Sequence, residues 1–327
     1  MNPKPYGVSC QGVVQPNGGV FGNSVHDSRK IDKWAGTIRA RTDEQTGVTI
    51  GDCLKELRKV LREPELQFCT GLKRYLSGAI VLPCNEKDAN VLKECIRRMS
   101  ADSEPPFMYN ALAICVGRPA KSSGTLTGFA TFRNVGKHKE YIFEERKIKK
   151  RAKSGKYAVE GHMSYRVLDT KHGMSLVDFS VNKFARHLPR LMLTQMCSPI
   201  LGDTIYWRRL GEHDEQVPEL IPAGQQGHRI HIPKRLPEIL ETSDRRTLLT
   251  SLPMYCHVYN TVFEDVGGHE AHGLVAAAKP PAHFMSMLGL LDLLPAYREF
   301  KNPSSSDATS DDDNSTPPAR TSGDVRF

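Results

Sequence analysis

An α+β fold is the class with which this 327-residue sequence is compatible. Two observations point there. Short apolar runs at 76–83, 111–116 and 176–181 read as strands, and they alternate with stretches whose apolar residues recur at helical spacing. The chain is also long enough to bury a substantial core.

Taken in order, Lys4-Pro5-Tyr6-Gly7 opens the chain abruptly, and the glycine-rich Asn17-Gly18-Gly19-Val20-Phe21-Gly22 reads as loop. From Thr49, a candidate cap with Asp52 three residues on, Ile50, Leu54, Leu57 and Leu61 fall on one helical face. The 76–83 run reads as a buried strand. Asn85 then caps a helix through Met99, with Asp88 in its first turn and Leu92, Ile96 and Met99 facing inward. The 111–116 strand closes on the turn Gly117-Arg118-Pro119. Between 137 and 156, nine Lys/Arg against three Glu read as a mobile basic loop or hairpin. In the 176–181 strand, Val177, Phe179 and Val181 share one face. Helical spacing resumes at Phe184, Leu188, Leu191 and Gln195, which predicts Arg186 and Arg190 together on another face. Pro199-Ile200-Leu201-Gly202-Asp203 ends that helix. The expected organisation is one domain over 1–300 and a disordered, acidic Ser/Asp/Pro tail over 301–327.

Charge narrows the partner. The net charge is +8, yet residues 301–327 carry three Lys/Arg and five Asp, so the tail is −2 and the rest is +10. A basic body suits a polyanion such as RNA, because fixed cations concentrate anions and release counterions on binding. A basic, soluble surface with no such role fits the composition equally. The eight cysteines are dispersed with no C-x-x-C pair, which predicts reduced, packed thiols. No apolar run has the length of a membrane span, and neither a secretory nor a mitochondrial signal is readable after Met1.

From Gly155 onward the order of short motifs is specific. It runs Gly155-Lys156-Tyr157-Ala158, Tyr165-Arg166-Val167-Leu168, Ser175-Leu176-Val177, His187 with Arg190, then Cys197-Ser198-Pro199-Ile200-Leu201-Gly202-Asp203-Thr204-Ile205-Tyr206. This resembles the second half of an RluA-type pseudouridine synthase. Lys4-Pro5-Tyr6-Gly7 resembles that family's opening K-P-x-G turn, residues 111–119 its strand leading to G-x-P, and residues 72–82 its H-R-L-D catalytic loop. Within the family the likeness is greatest to a mitochondrial, mRNA-modifying branch of animals. The resemblance implies a long, mixed, mostly antiparallel sheet with flanking helices and a central cleft. It also implies an RNA partner (mitochondrial mRNA or rRNA), a mitochondrial location, and no metal or organic cofactor. Against the family pattern, the strand that precedes the K-P-x-G turn is expected to be missing.

The implied chemistry is isomerisation of uridine to pseudouridine: the bond from C1′ to N1 breaks, uracil rotates, and the link re-forms through C5. The family uses an aspartate held by an arginine, and a base taken out of its stack into a pocket. Here the aspartate position falls on Lys73, with Thr70 and Gly71 where the family has histidine and arginine. The arginine partner falls on Arg190, with His187 retained and Arg186 one position off the family's preceding arginine. The tyrosine that stacks on uridine falls on Ala111, and Tyr109, two residues earlier on the same side of a strand, is the substitute. Lys73 facing Arg190 would bring two cations together. Candidate RNA contacts are His187, Arg186, Arg146, Lys147, Lys149, Lys150, Arg151, Lys153 and Lys156.

Two functions stay open: an isomerase using a relocated acid, and a non-catalytic RNA-binding or ribosome-assembly factor that keeps the pocket, a pseudoenzyme. Lys73 is in turn a neutral nucleophile, a pocket residue, or a surface remnant. The pairs His228/His231 and His269/His272 have a spacing seen in metal sites, but neither has a third ligand beside it in sequence, so no metal is expected.

Overall fold

The computed structural model describes residues 12–14, 20–22, 50–69, 72–135, 138–145, 158–213, 217–225, 227–264, 266 and 273–302. Strands β1 (Gly12–Val14) and β2 (Val20–Gly22) pair antiparallel, so the end of the stretch expected as loop is strand. Helix α1 (Ile50–Leu61) follows as its spacing predicts, although none of its residues is fully buried. Next come β3 (Ser77–Gly78), α2 (Glu86–Met99), β4 (Tyr109–Val116), β5 (Ser123–Val135), β6 (His138–Glu144), β7 (Val159–Lys171) and β8 (Met174–Val181). The chain continues through α3 (Leu188–Gln195), β9 (Leu210–His213), β10 (Val217–Leu220), α4 (Leu236–Ile239), α5 (Arg245–Thr250), β11 (Cys256–Phe263), β12 (Leu274–Ala277), α6 (Ala282–Leu290) and α7 (Leu294–Lys301).

Eight of these strands form one mixed sheet in the order β12-β11-β4-β8-β7-β5-β6, with β3 also on β11. The β3–β11 pair is parallel, and the other pairs are antiparallel. The α+β fold and the mixed, mostly antiparallel sheet with flanking helices are therefore present. The central strands β4 and β8 are buried along most of their length because they are covered on both faces, with Asn110, Asp178 and Ser180 as half-buried polar interruptions. Alternation then assigns each side chain to one of two cores. Tyr109, Ala111, Ala113, Val177, Phe179 and Val181 enter the core shared with α2 and α3. Leu112, Ile114, Val116, Met174 and Leu176 enter the other, filled by Trp207, Phe284, Leu288 and Leu293. The residues expected to face one way on β8 do so.

Three expectations change in contact with tertiary structure. The 76–83 strand shrinks to Ser77 and Gly78: Gly78 adopts φ +153°, and a Cβ there would lie 2.6 Å from the Val258 carbonyl oxygen, so the chain turns off the ladder. The basic 137–156 segment begins as strand β6, paired along its whole length with β5, while residues 146–157 lie outside the described set. The helix expected from Phe184 begins at Leu188, because Arg186 (φ +47°) and His187 (φ +61°) both take left-handed backbone. Arg186 and Arg190 consequently do not share a helical face. Among the described residues, no helix is long and apolar enough to cross a membrane.

Helix α2 shows how sequence signals act locally. Asn85 Oδ1 accepts the Asp88 backbone N–H at 2.8 Å, filling a donor that the first turn leaves open. Ala89, Leu92, Cys95 and Met99 form its buried stripe.

β3 is fastened to β11 by a buried polar pair. His257 Nε2 donates to the Ala278 carbonyl at 3.0 Å, which leaves Nδ1 to accept from Ser77 Oγ at 2.9 Å. Burial, with smaller contributions from the charges of His283 and Lys301, lowers the His257 pKa from 6.5 to about 4. Between those values the unfolded chain binds a proton that the folded chain refuses, so this contribution is complete above pH 6.5 and is lost as pH falls toward 4. Unfolding free energy in urea is therefore expected to fall with pH across this window, with about 2–3 kcal/mol traceable to this histidine. His257→Gln should flatten the slope by about one proton; an unchanged slope would remove His257 from that role.

Candidate functional site

The site is built where the 72–78 turn, the segment before α3, and the segment after α3 meet on one face of the sheet. Helix α3 is apolar nearly all round and buried from Leu188 to Thr194, so Arg190 is carried into the interior with only 5% of its surface exposed. A guanidinium there needs a counter-charge.

The chain supplies it by reversing immediately. Ser198 N–H donates to Leu193 O at 3.0 Å and Cys197 N–H to Thr194 O at 2.9 Å, a Schellman closure with Cys197 in the left-handed position usually held by glycine. Residues 199–201 then run beside the end of β4, where Val116 N–H donates to Pro199 O and Leu201 N–H to Ile114 O, both at 2.8 Å. Gly202 (φ +81°) makes the final bend against Pro253. This delivers Asp203, fully buried, beneath Arg190.

The two side chains pair bidentately: Arg190 Nε donates to Asp203 Oδ2 at 2.8 Å and Nη2 to Oδ1 at 2.7 Å. Oδ1 also accepts the backbone N–H groups of Ile205 (3.0 Å) and Tyr206 (2.9 Å). Burial opposes the Arg190 charge, but the Asp203 carboxylate more than offsets it and holds the arginine pKa above its usual value. Tyr75 and Tyr206 close over the guanidinium, with ring centroids 4.8 and 4.9 Å from Cζ.

His187 completes the cluster. Its Nδ1 lies 3.0 Å from the Tyr206 hydroxyl, and its ring contacts those of Tyr75, Tyr141 and Tyr206. Burial first, then the nearby charges of Arg190 and Lys73, hold its pKa well below the ordinary value, so the imidazole is neutral. Burial likewise raises the Tyr75 and Tyr206 hydroxyls, despite the nearby Arg190 charge, so both remain protonated donors.

The structure thus brings together the turn expected to carry the reactive group, the helix bearing Arg190, and His187 at the entry to that helix. Arg190 meets that turn with its charge already answered by Asp203, and the charges of both Lys73 and Arg190 are felt at His187. Lys73 is exposed, and Tyr75 from the same turn lies against the guanidinium. Tyr109 sits in the same core, edge-on to Phe184 at 5.2 Å, and helps line a small, largely apolar pocket with Leu72, Ala79, Val81, Thr261 and Phe263. The Thr261 hydroxyl, buried and without a hydrogen-bond partner, is a polar group at that pocket. Arg186 leaves the cluster and places its guanidinium over Phe132. Arg146, Lys147, Lys149, Lys150, Arg151, Lys153 and Lys156 lie outside the described residues. His228 is engaged elsewhere, its Nε2 donating to Arg208 O at 2.8 Å.

Tyr75 and Asp203 are the residues that sequence reasoning missed as site members. Asp203 was visible as the acid of Gly202-Asp203, four residues beyond Pro199, and Tyr75 as the one aromatic in the turn.

Because both charges are desolvated, removing one leaves the other stranded. Asp203→Asn is expected to cost on the order of 3–5 kcal/mol in urea unfolding, whereas Arg190→Met with Asp203→Asn should recover part of that loss, because the asparagine oxygen can still accept the Ile205 and Tyr206 N–H groups. Equal stability of Asp203→Asn and the parent chain would contradict this account.

No protein-family model matches the sequence, and no curated protein is similar to it. Among solved structures, human RNA Pseudouridylate Synthase Domain Containing 4 is similar over 89% of this chain and 88% of that chain, with TM-score 0.54 and 18% identity. Human RNA Pseudouridylate Synthase Domain Containing 1 matches 81% of this chain and 87% of that chain, at TM-score 0.44 and 17% identity. The architecture around Arg190 is accordingly the fold of a pseudouridine synthase domain.

Proposed function

We propose that this chain is an RNA-binding protein of the RluA-like pseudouridine synthase type, which holds uridine-containing mitochondrial mRNA or rRNA in a retained cleft without isomerising it. One observation carries the reading. The arginine that would hold a reactive carboxylate is bound to Asp203, which is fully buried and accepts four hydrogen bonds, while the position expected to hold the reactive group is Lys73. A carboxylate in that state can position Arg190 but cannot reach a C1′ atom.

The neutral His187 and the protonated Tyr75 and Tyr206 present uncharged rings and hydrogen-bonding groups of the kind that hold a neutral base. The net charge supplies long-range attraction for the phosphates.

A second reading is favoured by a specific fact: an aspartate does lie within hydrogen-bonding reach of Arg190. If Asp203 left the pair on RNA binding, it would be the relocated acid of an isomerase. The two readings separate in an assay of tritium release from RNA labelled at C5 of uridine. Salt-sensitive RNA binding with no tritium release is expected. Release that persists in Lys73→Ala and disappears in Asp203→Asn, in a variant still folded by circular dichroism, would establish the isomerase instead. Fractionation of cells expressing the tagged full-length protein tests the location, with recovery in mitochondria expected.

A further inference from the structure

Outside the buried cluster, one feature of the same sheet face has no role in it. Phe132 on β5 and Tyr141 on β6 stand directly opposite each other, with ring centroids 4.3 Å apart and 33° between planes. The neighbouring rung on this face, Ala130 and Phe143, is buried. One rung further the cover ends: Tyr141 remains 9% exposed, but Phe132 is 40% exposed.

A single exposed phenylalanine needs no explanation by itself. Here a cation is held over it. The Arg186 guanidinium lies 5.4 Å from the ring centroid, and it is placed there by consecutive left-handed residues at Arg186 (φ +47°) and His187 (φ +61°). For residues other than glycine such backbone is strained, and strain of this kind concentrates at ligand sites. Its effect is to divide two adjacent side chains. His187 is turned toward Tyr206, and Arg186, half-buried, away from that cluster to Phe132. Tyr141 joins the two, since its ring touches both Phe132 and His187.

We propose that Phe132 and Arg186 form a stacking platform for one unpaired nucleobase of single-stranded RNA, adjacent to the base held at the His187 cluster. The proposal rests on the RNA-binding reading above and specifies where a second nucleotide is gripped. The chemistry is selective for such a ligand. The exposed side of the Phe132–Arg186 pair offers a planar surface to any base, a guanidinium stacks on a base or pairs with its phosphate, and a duplex offers no free base face there. Tyr141 behind Phe132 prevents the ring from folding away.

The test titrates the full chain with a single-stranded oligoribonucleotide carrying 2-aminopurine, whose fluorescence is quenched when it stacks. The parent chain should bind and quench. Phe132→Ala should weaken binding about tenfold and abolish the quench, with Phe132→Leu doing the same although it keeps apolar bulk, and Phe132→Trp restoring both. Arg186→Gln should lower the slope of log affinity against log salt by about 0.7, and the Phe132 variants should leave it unchanged. Thermal melts check that each variant is folded. Undiminished binding and quenching in Phe132→Ala and Phe132→Leu would overturn the platform while leaving the RNA reading intact. Failure of the parent chain to bind any single-stranded RNA would overturn both.

Discussion

The buried pair between Arg190 and Asp203 is the constraint to which the rest of the site is adapted. Neither charge is tolerable alone in the interior, and each is brought there by a different piece of chain: a helix buried on nearly every side, and a segment that reverses at Cys197 and bends at Gly202. The two must arrive together. That requirement accounts for the left-handed Cys197, the glycine at 202, the strand-like run of 199–201 beside β4, and the rings of Tyr75 and Tyr206 that exclude water from the pair.

The same pair decides what the site can do. A guanidinium whose charge is already answered holds a scaffold in place rather than orienting an incoming carboxylate, and a carboxylate that already accepts four hydrogen bonds has its oxygens engaged. The groups packed around the pair are neutral and aromatic: one uncharged imidazole and protonated phenols. Such a cluster offers aromatic and hydrogen-bonding contacts in place of a charged group. Strain is stored next to it, in the two left-handed residues that send His187 toward Tyr206 and Arg186 to Phe132.

The pattern of legible and illegible features has a physical logic. The cap and stripe of α2, the faces of β8 and the 111–116 part of β4 depend on nearest neighbours along the chain, and local patterning carried them. The start of α3 did not follow its apolar spacing, because a cluster of rings drew His187 inward and forced two residues out of the helical region. The 76–83 run had strand composition, but contact between Gly78 and Val258 left room for two ladder residues. In each case a long-range contact overrode a local preference.

The alternating signals of the sequence were compatible with the α+β class, and its motif order carried the likeness to a pseudouridine synthase, together with the substitution of Lys73 in the turn opposite α3. These are properties of residue order, and they survive without coordinates. Which acid neutralises Arg190, which residue of the turn lies on it, and whether Arg186 serves the pocket or the surface were decided by tertiary structure alone. Charge pairing and ring packing act through space between residues 13 to 115 positions apart, as with Arg190 and Asp203 or Tyr75 and Arg190, and no local pattern encodes such a meeting.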